Sequence, residues 1–143
     1  MTLKIINQDI LKIESGILGH QVNMQGKMGK GLALSIAKKW PKAKVEYLCL
    51  LPNRRLGDIT LSEVAANLYI CHLHSQDRYG TNKQQTEYPH LSKALHALHH
   101  SALNLNLPVY LPWGLSCGYG GGDWEKVSDI IQSDCPSALI CKI

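Results

Sequence analysis

Stretches rich in β-branched and aliphatic residues alternate along this chain with stretches whose apolar residues recur at helical spacing, and this alternation constrains the fold more than any other feature. Five segments read as strands: Leu3 to Asn7, Ile17 to Val22, Leu68 to His74, Pro108 to Trp113 and Ala138 to Ile143. Between them, Gly31 to Trp40 carries Leu32, Ile36 and Ala37 at helical spacing. Pro41 then opens a second helix to about Leu51, because a proline at the first helical position gives up no internal hydrogen bond. Thr86 to Leu103 sets Leu91, Leu95, Leu98 and Ala102 on one face, and Asp123 to Ile131 supplies the last helix. This order predicts an α/β fold: a three-layer α-β-α arrangement around a central mixed, mostly parallel sheet, with ligands at the carboxyl ends of the strands.

A chain of 143 residues can bury one sizeable core, so residues 1–143 are expected to form one domain. Hydrophobic residues at 45% and charged residues at 18% support a packed globule and argue against disorder. Neither a membrane-spanning stretch nor a signal peptide is visible, which leads to an expectation of a cytosolic protein. The five cysteines, Cys49, Cys71, Cys117, Cys135 and Cys141, are scattered and never form a CxxC pair, which fits reduced thiols in the same compartment. The net charge of +4, with Lys38, Lys39, Lys42 and Lys44 near one helix junction, is compatible with an anionic small ligand. Nucleic-acid binding driven by those lysines is the weakest reading, since no stacking aromatics accompany them.

Two glycine-rich segments each join a strand to a helix. In Asn23-Met24-Gln25-Gly26-Lys27-Met28-Gly29-Lys30-Gly31-Leu32-Ala33, the glycines permit close backbone approach, and the free N–H groups at the start of the helix favour a diphosphate. The spacing excludes the better-known cradles: Lys30 is followed by Gly31 and not by Ser or Thr, and the glycines read GxxGxG and not GxGxxG. The second segment, Ser116-Cys117-Gly118-Tyr119-Gly120-Gly121-Gly122-Asp123-Trp124, packs four glycines around one aromatic ring able to lie against a sugar or diphosphate. Each loop alone could be a flexible connection; together they point to a ligand held between them.

These residues resemble a known family. Asn23 to Ala33 is similar to the first-loop signature of macrodomains of the ADP-ribosylglycohydrolase and ADP-ribose-1″-phosphatase groups, and Cys117 to Trp124 followed by Val127 is similar to their second loop. Asp9-Ile10-Leu11 resembles the family's adenine-site segment, and Gln76-Asp77-Arg78-Tyr79-Gly80 with Thr86-Glu87-Tyr88 resembles that of small phage and bacterial members. The resemblance implies ADP-ribose or a derivative as ligand. Asp9 would accept from the adenine amino group and Ile10 would offer its backbone nearby. Asn23 would face the distal ribose, and the backbone of Gly29, Lys30 and Gly31, with that of Cys117, Gly118, Tyr119, Gly120 and Gly121, would hold the diphosphate. Tyr119 would pack on the diphosphate or distal ribose. Read without the family, Asp9 caps a turn, Asn23 ends a strand and Tyr119 belongs to the core.

The family either binds ADP-ribose without reaction, removes it from a protein or nucleic acid, or cleaves ADP-ribose-1″-phosphate. Where its glycohydrolases use a lysine after the third strand and an aspartate in the second loop, this chain has Gln76 and Gly120, which can form neither the lysine's covalent adduct nor an acid–base pair. His20, three residues before Asn23, stands where the small phosphatases carry a histidine implicated in catalysis. An imidazole there could attack or activate water. Its alternative is a structural hydrogen bond beneath the loop. Asp77 and Asp123 are the nearest candidate acids, with Asp123 equally suited to capping the last helix. The resemblance therefore implies ADP-ribose-1″-phosphate hydrolysis with His20 and Asn23 at the reacting end. ADP-ribosyl removal from protein or nucleic acid and simple sequestration are the alternatives. No cofactor is implied. His96, His99 and His100 have helical spacing, and His72 and His74 share a strand face, but neither group completes a metal-ligand set.

Overall fold

A computed structural model describes residues 2–78, 86–117 and 121–143. Its elements follow the order β1 (Lys4–Asn7), β2 (Gly16–Asn23), α1 (Gly31–Lys39), α2 (Pro41–Leu50), β3 (Ile59–Ala65), β4 (Leu68–Gln76), α3 (Tyr88–Leu105), β5 (Val109–Pro112), α4 (Trp124–Asp134) and β6 (Leu139–Lys142). Together the strands form one sheet in the order β1-β6-β5-β2-β4-β3. All neighbours are parallel except β3 and β4. The α/β class and mostly parallel sheet expected from the alternation are therefore those of the molecule.

Side-chain alternation along the inner strands builds a core on each face. Ile17, Cys71, Leu73, Val109, Leu111 and Ile140 pack against Leu91, Leu95 and Leu98 of α3 and Val127 and Ile131 of α4. On the opposite face Leu18, Val22 and Ile70 meet Ile36 of α1 and Ala43 and Tyr47 of α2. The apolar stripe expected for α3 is buried as read, at Leu91, Leu95, Leu98 and Ala102. The helix stops where Asn106 takes a left-handed conformation at φ 54°, a position asparagine tolerates. Pro41 starts α2 as expected. Asp123 caps α4, its side chain accepting the Glu125 N–H at 3.0 Å.

One expectation is corrected. The sequence reading has five strands and the sheet has six, because β3 joins as an antiparallel edge strand through a turn at Asn67, φ 58°. Its sequence, ITLSEVA, hides the strand period: the fully buried positions are Thr60 and Ser62, while Ile59 and Leu61 are only half-buried. Polar residues sit on the buried face because their hydroxyls meet two histidines of β4: Thr60 Oγ1 is 2.8 Å from His74 Nε2, and Ser62 Oγ is 3.5 Å from His72 Nε2. Thr86, read as the first residue of α3, instead makes an isolated bridge to Gln76, and the helix begins at Tyr88 with Pro89 in its first turn. Among the described residues no helix is long and apolar enough to cross a membrane.

Candidate functional site

The carboxyl ends of β2, β4 and β5 deliver Asn23, Gln76 and Pro112 to one edge of the sheet, and a cavity of about 770 Å³ opens there. That is the size range of a small-molecule site. Its wall includes His20, Asn23 and the first glycine loop, with Gly29, Lys30 and Gly31, and Trp113 to Ser116 leading into the second loop. Three lysines reach it, Lys27 and Lys30 from the loop and Lys44 from α2, and no carboxylate is among its described lining residues. A cleft lined by one sign of charge concentrates ligands of the other sign.

Asn23 holds the first loop in shape. Its Oδ1 accepts from the N–H groups of Gln25 (3.0 Å) and Lys27 (3.2 Å), and its Nδ2 donates to the Lys27 carbonyl at 2.8 Å. The amide oxygen is thus committed to the loop, and the second Nδ2 hydrogen is what the side chain has left for a ligand. Beneath it, Tyr47 Oη donates to the Asn23 carbonyl at 2.6 Å. Burial pushes the Tyr47 phenol up to about 12, and hydrogen bonds with the Gly26 and Lys27 backbone oppose part of that rise. The loop ends at Gly31, φ 58°, which opens α1 with no side-chain cap. The first residues of that helix line the cavity, and their N–H groups have no intrahelical acceptor.

The second loop is anchored by a neutral network under Gln21. Gln21 Oε1 accepts from Ser75 Oγ and Ser116 Oγ, both at 2.8 Å, while its Nε2 donates to Gln76 Oε1 (2.8 Å) and Thr86 Oγ1 (3.1 Å). All four valences of one amide are used. Ser116, at φ 68°, also receives Thr86 Oγ1 (3.0 Å) and the Gly122 N–H (2.8 Å) on its carbonyl, so the loop closes on a fixed base. Gly118, Tyr119 and Gly120, expected at the diphosphate, lie outside the described residues. Cys117 is half-buried, and its thiol is pushed up to about 11 by burial and then by the Asp123 charge, which keeps it protonated. Gly121, at φ 71°, continues the loop and is not part of the described cavity wall, nor is Cys117.

His20 lies on the face of β2 beneath α2, only 2% exposed, and forms part of the cavity wall. Its Nε2 is 2.9 Å from His72 Nδ1, and its own Nδ1 is buried with no hydrogen-bond partner. Burial first, and the His74 charge second, lowers its pKa to about 3, so the ring is neutral. His72 is held well below the ordinary value, again chiefly by burial, with His20 and His74 adding to the fall and a hydrogen bond with the Ala43 backbone opposing it. His74 is lowered to about 4 by burial and the Arg54 charge, against the pull of Asp58. Tyr47 covers this cluster, stacked on His72 at 5.5 Å and tilted over His74 at 6.0 Å between ring centroids.

Other expected residues lie elsewhere. Asp9 caps a short 3₁₀ turn after β1, its Oδ1 accepting the Leu11 N–H at 3.0 Å, and with the buried Ile10 it stands at the same sheet edge outside the cavity lining. Asp77 and Asp123 are also outside the lining. Gln76, which the sequence resemblance set against the glycohydrolases' lysine, is on the wall as a neutral amide tied to Gln21. His72 and His74 do share a strand face, but they serve the buried cluster, and His96 and His100 pair with each other on the exposed side of α3, Nε2 to Nε2 3.0 Å. Among the described residues no group of three ligands could hold a metal. Tyr47, Lys44, Trp113 and Gln21 are the contributors that sequence reasoning missed. Trp113, 42% exposed at the end of β5, carried a visible signal as an unburied aromatic beside a glycine loop, whereas the others read as ordinary helix or strand residues.

No family model matches the chain. It is 28% identical, over 92% of its own length and 92% of the relative's, to a protein of Lodderomyces elongisporus named ADP-ribose 1''-phosphate phosphatase. Among solved structures it resembles the macrodomain of Thermus aquaticus DarG, with 21% identity, TM-score 0.82 and 99% of both chains covered. It also resembles Thermosipho africanus DarTG in complex with ADP-ribose, with 17% identity and TM-score 0.81 over 99% of this chain and 42% of that one. The fold of this chain is that of macrodomains along its whole length.

Proposed function

We propose that this macrodomain-fold chain binds ADP-ribose derivatives at the carboxyl edge of its sheet and hydrolyses ADP-ribose-1″-phosphate, with His20 as the catalytic group. The observation that carries this reading is the unpartnered Nδ1 of a buried, neutral imidazole on the wall of a cavity whose described charged residues are all lysines. A buried polar atom without a partner is uncommon enough to call for a ligand or a chemical role. Support comes also from the name of the Lodderomyces relative and from the ADP-ribose in the Thermosipho structure.

In this reading the N–H groups opening α1 and the two glycine loops take the diphosphate, and Asp9 and Ile10 take the adenine end. Asn23 turns its remaining amide hydrogen to the distal ribose. The terminal phosphate lies against His20, with Lys44 and Lys27 offsetting its charge. Its arrival favours the protonated imidazole and so raises the His20 pKa from the low value of the empty site. Nδ1 then either attacks phosphorus, displacing the ribose C1″ oxygen to leave a phosphohistidine that water cleaves, or takes a proton from the attacking water. Removal of ADP-ribose from modified protein or nucleic acid is less well supported, because Gln76 offers no amine. A cytosolic location fits the five free thiols.

Calorimetric titration with ADP-ribose, followed by product analysis on ADP-ribose-1″-phosphate, tests the proposal. His20→Ala should lose at least roughly 10²-fold in turnover while ADP-ribose affinity stays near wild type. Rate and affinity falling together would make His20 structural. ADP-ribose binding without turnover on any derivative would make the protein a sequestering module.

A further inference from the structure

We propose that His72 is the positioning residue of this site: by accepting a hydrogen bond from His20 Nε2–H on its own Nδ1, it holds the cavity-wall residue His20 in the tautomer with a bare Nδ1. The inference rests on reading His20 as the reacting group, and it concerns a buried histidine that neither substrate recognition nor the chemistry above uses.

The two nitrogens are 2.9 Å apart, so one proton lies between two neutral rings, and two arrangements exist. If His72 Nδ1 carried that proton, its Nε2 would be a bare lone pair and His20 Nδ1 would carry a buried N–H with no acceptor. If His20 Nε2 carries it, His72 must be protonated on Nε2 instead. Two features select the second arrangement. First, His72 Nε2 has a hydroxyl oxygen beside it, Ser62 Oγ at 3.5 Å, able to accept its N–H, so the second arrangement leaves no buried donor unpaired. Second, an orphaned buried N–H is rarer in folded proteins than an underused acceptor, so the unpaired His20 Nδ1 is better as a lone pair than as a donor.

The result is a relay of fixed direction, His20 Nε2–H to His72 Nδ1 and His72 Nε2–H towards Ser62 Oγ. It leaves one nucleophilic nitrogen, Nδ1, on a ring that forms part of the cavity wall. Tyr47 is stacked on His72 at 5.5 Å between centroids. When His20 Nδ1 gains a proton or a phosphoryl group, the positive charge that develops on the ring strengthens the bond to His72. This is the service a carboxylate gives a catalytic histidine elsewhere, supplied here by a neutral acceptor suited to a dry site.

The test has two arms. Imidazole ¹⁵N spectra of the ligand-free wild-type protein near pH 7.5 should show His20 protonated on Nε2 and bare on Nδ1; the reverse tautomer overturns the proposal whatever the enzyme does. In the second arm, His72→Leu should lower kcat on ADP-ribose-1″-phosphate by about 10²-fold with KM little changed. His72→Asn, whose Oδ1 can take the place of Nδ1 as acceptor, should recover most of that loss and keep the His20 tautomer. Equal rates in the Leu and Asn variants, or wild-type turnover in the Leu variant, overturn it. Should His72→Leu fail to fold, the wild-type spectrum and the Asn variant decide alone. Should the wild type show no turnover, the proposed function fails and the spectra still decide the tautomer.

Discussion

The Tyr47 hydroxyl donates to the main-chain carbonyl of Asn23 at 2.6 Å, joining the middle of α2 to the residue where β2 becomes the first glycine loop. The same oxygen is 3.1 Å from Asn23 Oδ1, the atom that gathers the Gln25 and Lys27 N–H groups. Tyr47→Phe keeps the ring on the histidine cluster and removes only the hydroxyl, with its bonds to Asn23 and to the Gly26 and Lys27 backbone. It should cost about 1–2 kcal/mol in denaturant unfolding, the expense of a buried acceptor left without its donor. ADP-ribose affinity should fall several-fold as the loop loosens, and unchanged stability together with unchanged affinity would show that the loop holds itself.

Two glycines of the loops should respond oppositely to alanine. A Cβ on Gly29 would meet nothing within 4 Å, so Gly29→Ala should unfold at the wild-type temperature and lose ADP-ribose affinity only because the ligand itself needs that space. A Cβ on Gly122 would lie 2.7 Å from the Ser116 carbonyl oxygen that already accepts the Gly122 N–H. Gly122→Ala should therefore cost roughly 1–3 kcal/mol. Thermal unfolding beside a titration separates the two, and a destabilised Gly29→Ala or an unaffected Gly122→Ala would contradict this account of the loops.

The buried histidines should make the fold acid-labile. His20 (about 3), His74 (about 4) and the lowered His72 stay neutral in the native state, while in the unfolded chain each titrates near the ordinary 6.5. The unfolded state thus binds more protons below that pH, and stability falls as pH drops from about 6.5 towards 4, by up to about 1.4 kcal/mol per pH unit for each histidine. Denaturant midpoints measured from pH 7.5 to 4.5 should slope downward, and less steeply in His72→Asn. A flat profile would mean that these rings already hold protons inside the fold.

A strong chelator should change neither unfolding temperature nor ADP-ribose binding. His96 and His100 face each other across one turn of α3 on its exposed side, and no group of three ligands forms among the described residues. A loss of either property on chelation would reinstate the histidines of α3 as ligands.

Periodicity and glycine placement determined a good deal by themselves. The alternation of strand and helix patterns decided the class of sheet, the Leu91, Leu95, Leu98 stripe decided the buried face of α3, and the first glycine segment marked the edge where the cavity opens, with Ser116 of the second on its wall. These signals are local, because a strand or helix that must bury one face writes its period into neighbouring residues. Tertiary structure alone decided what lies under the first loop. Thr60 and Ser62 look like surface residues of a loop until β3 folds against β4 and their hydroxyls find His74 and His72. Tyr47 looks like one more apolar residue of a helix until its phenol reaches the end of β2. His20 meets a partner 52 positions away, and which of its nitrogens is left unpartnered follows from how β2 packs beside β4. A buried polar group is defined by the partner that satisfies it, and when that partner comes from a distant strand or helix no local pattern records the pairing.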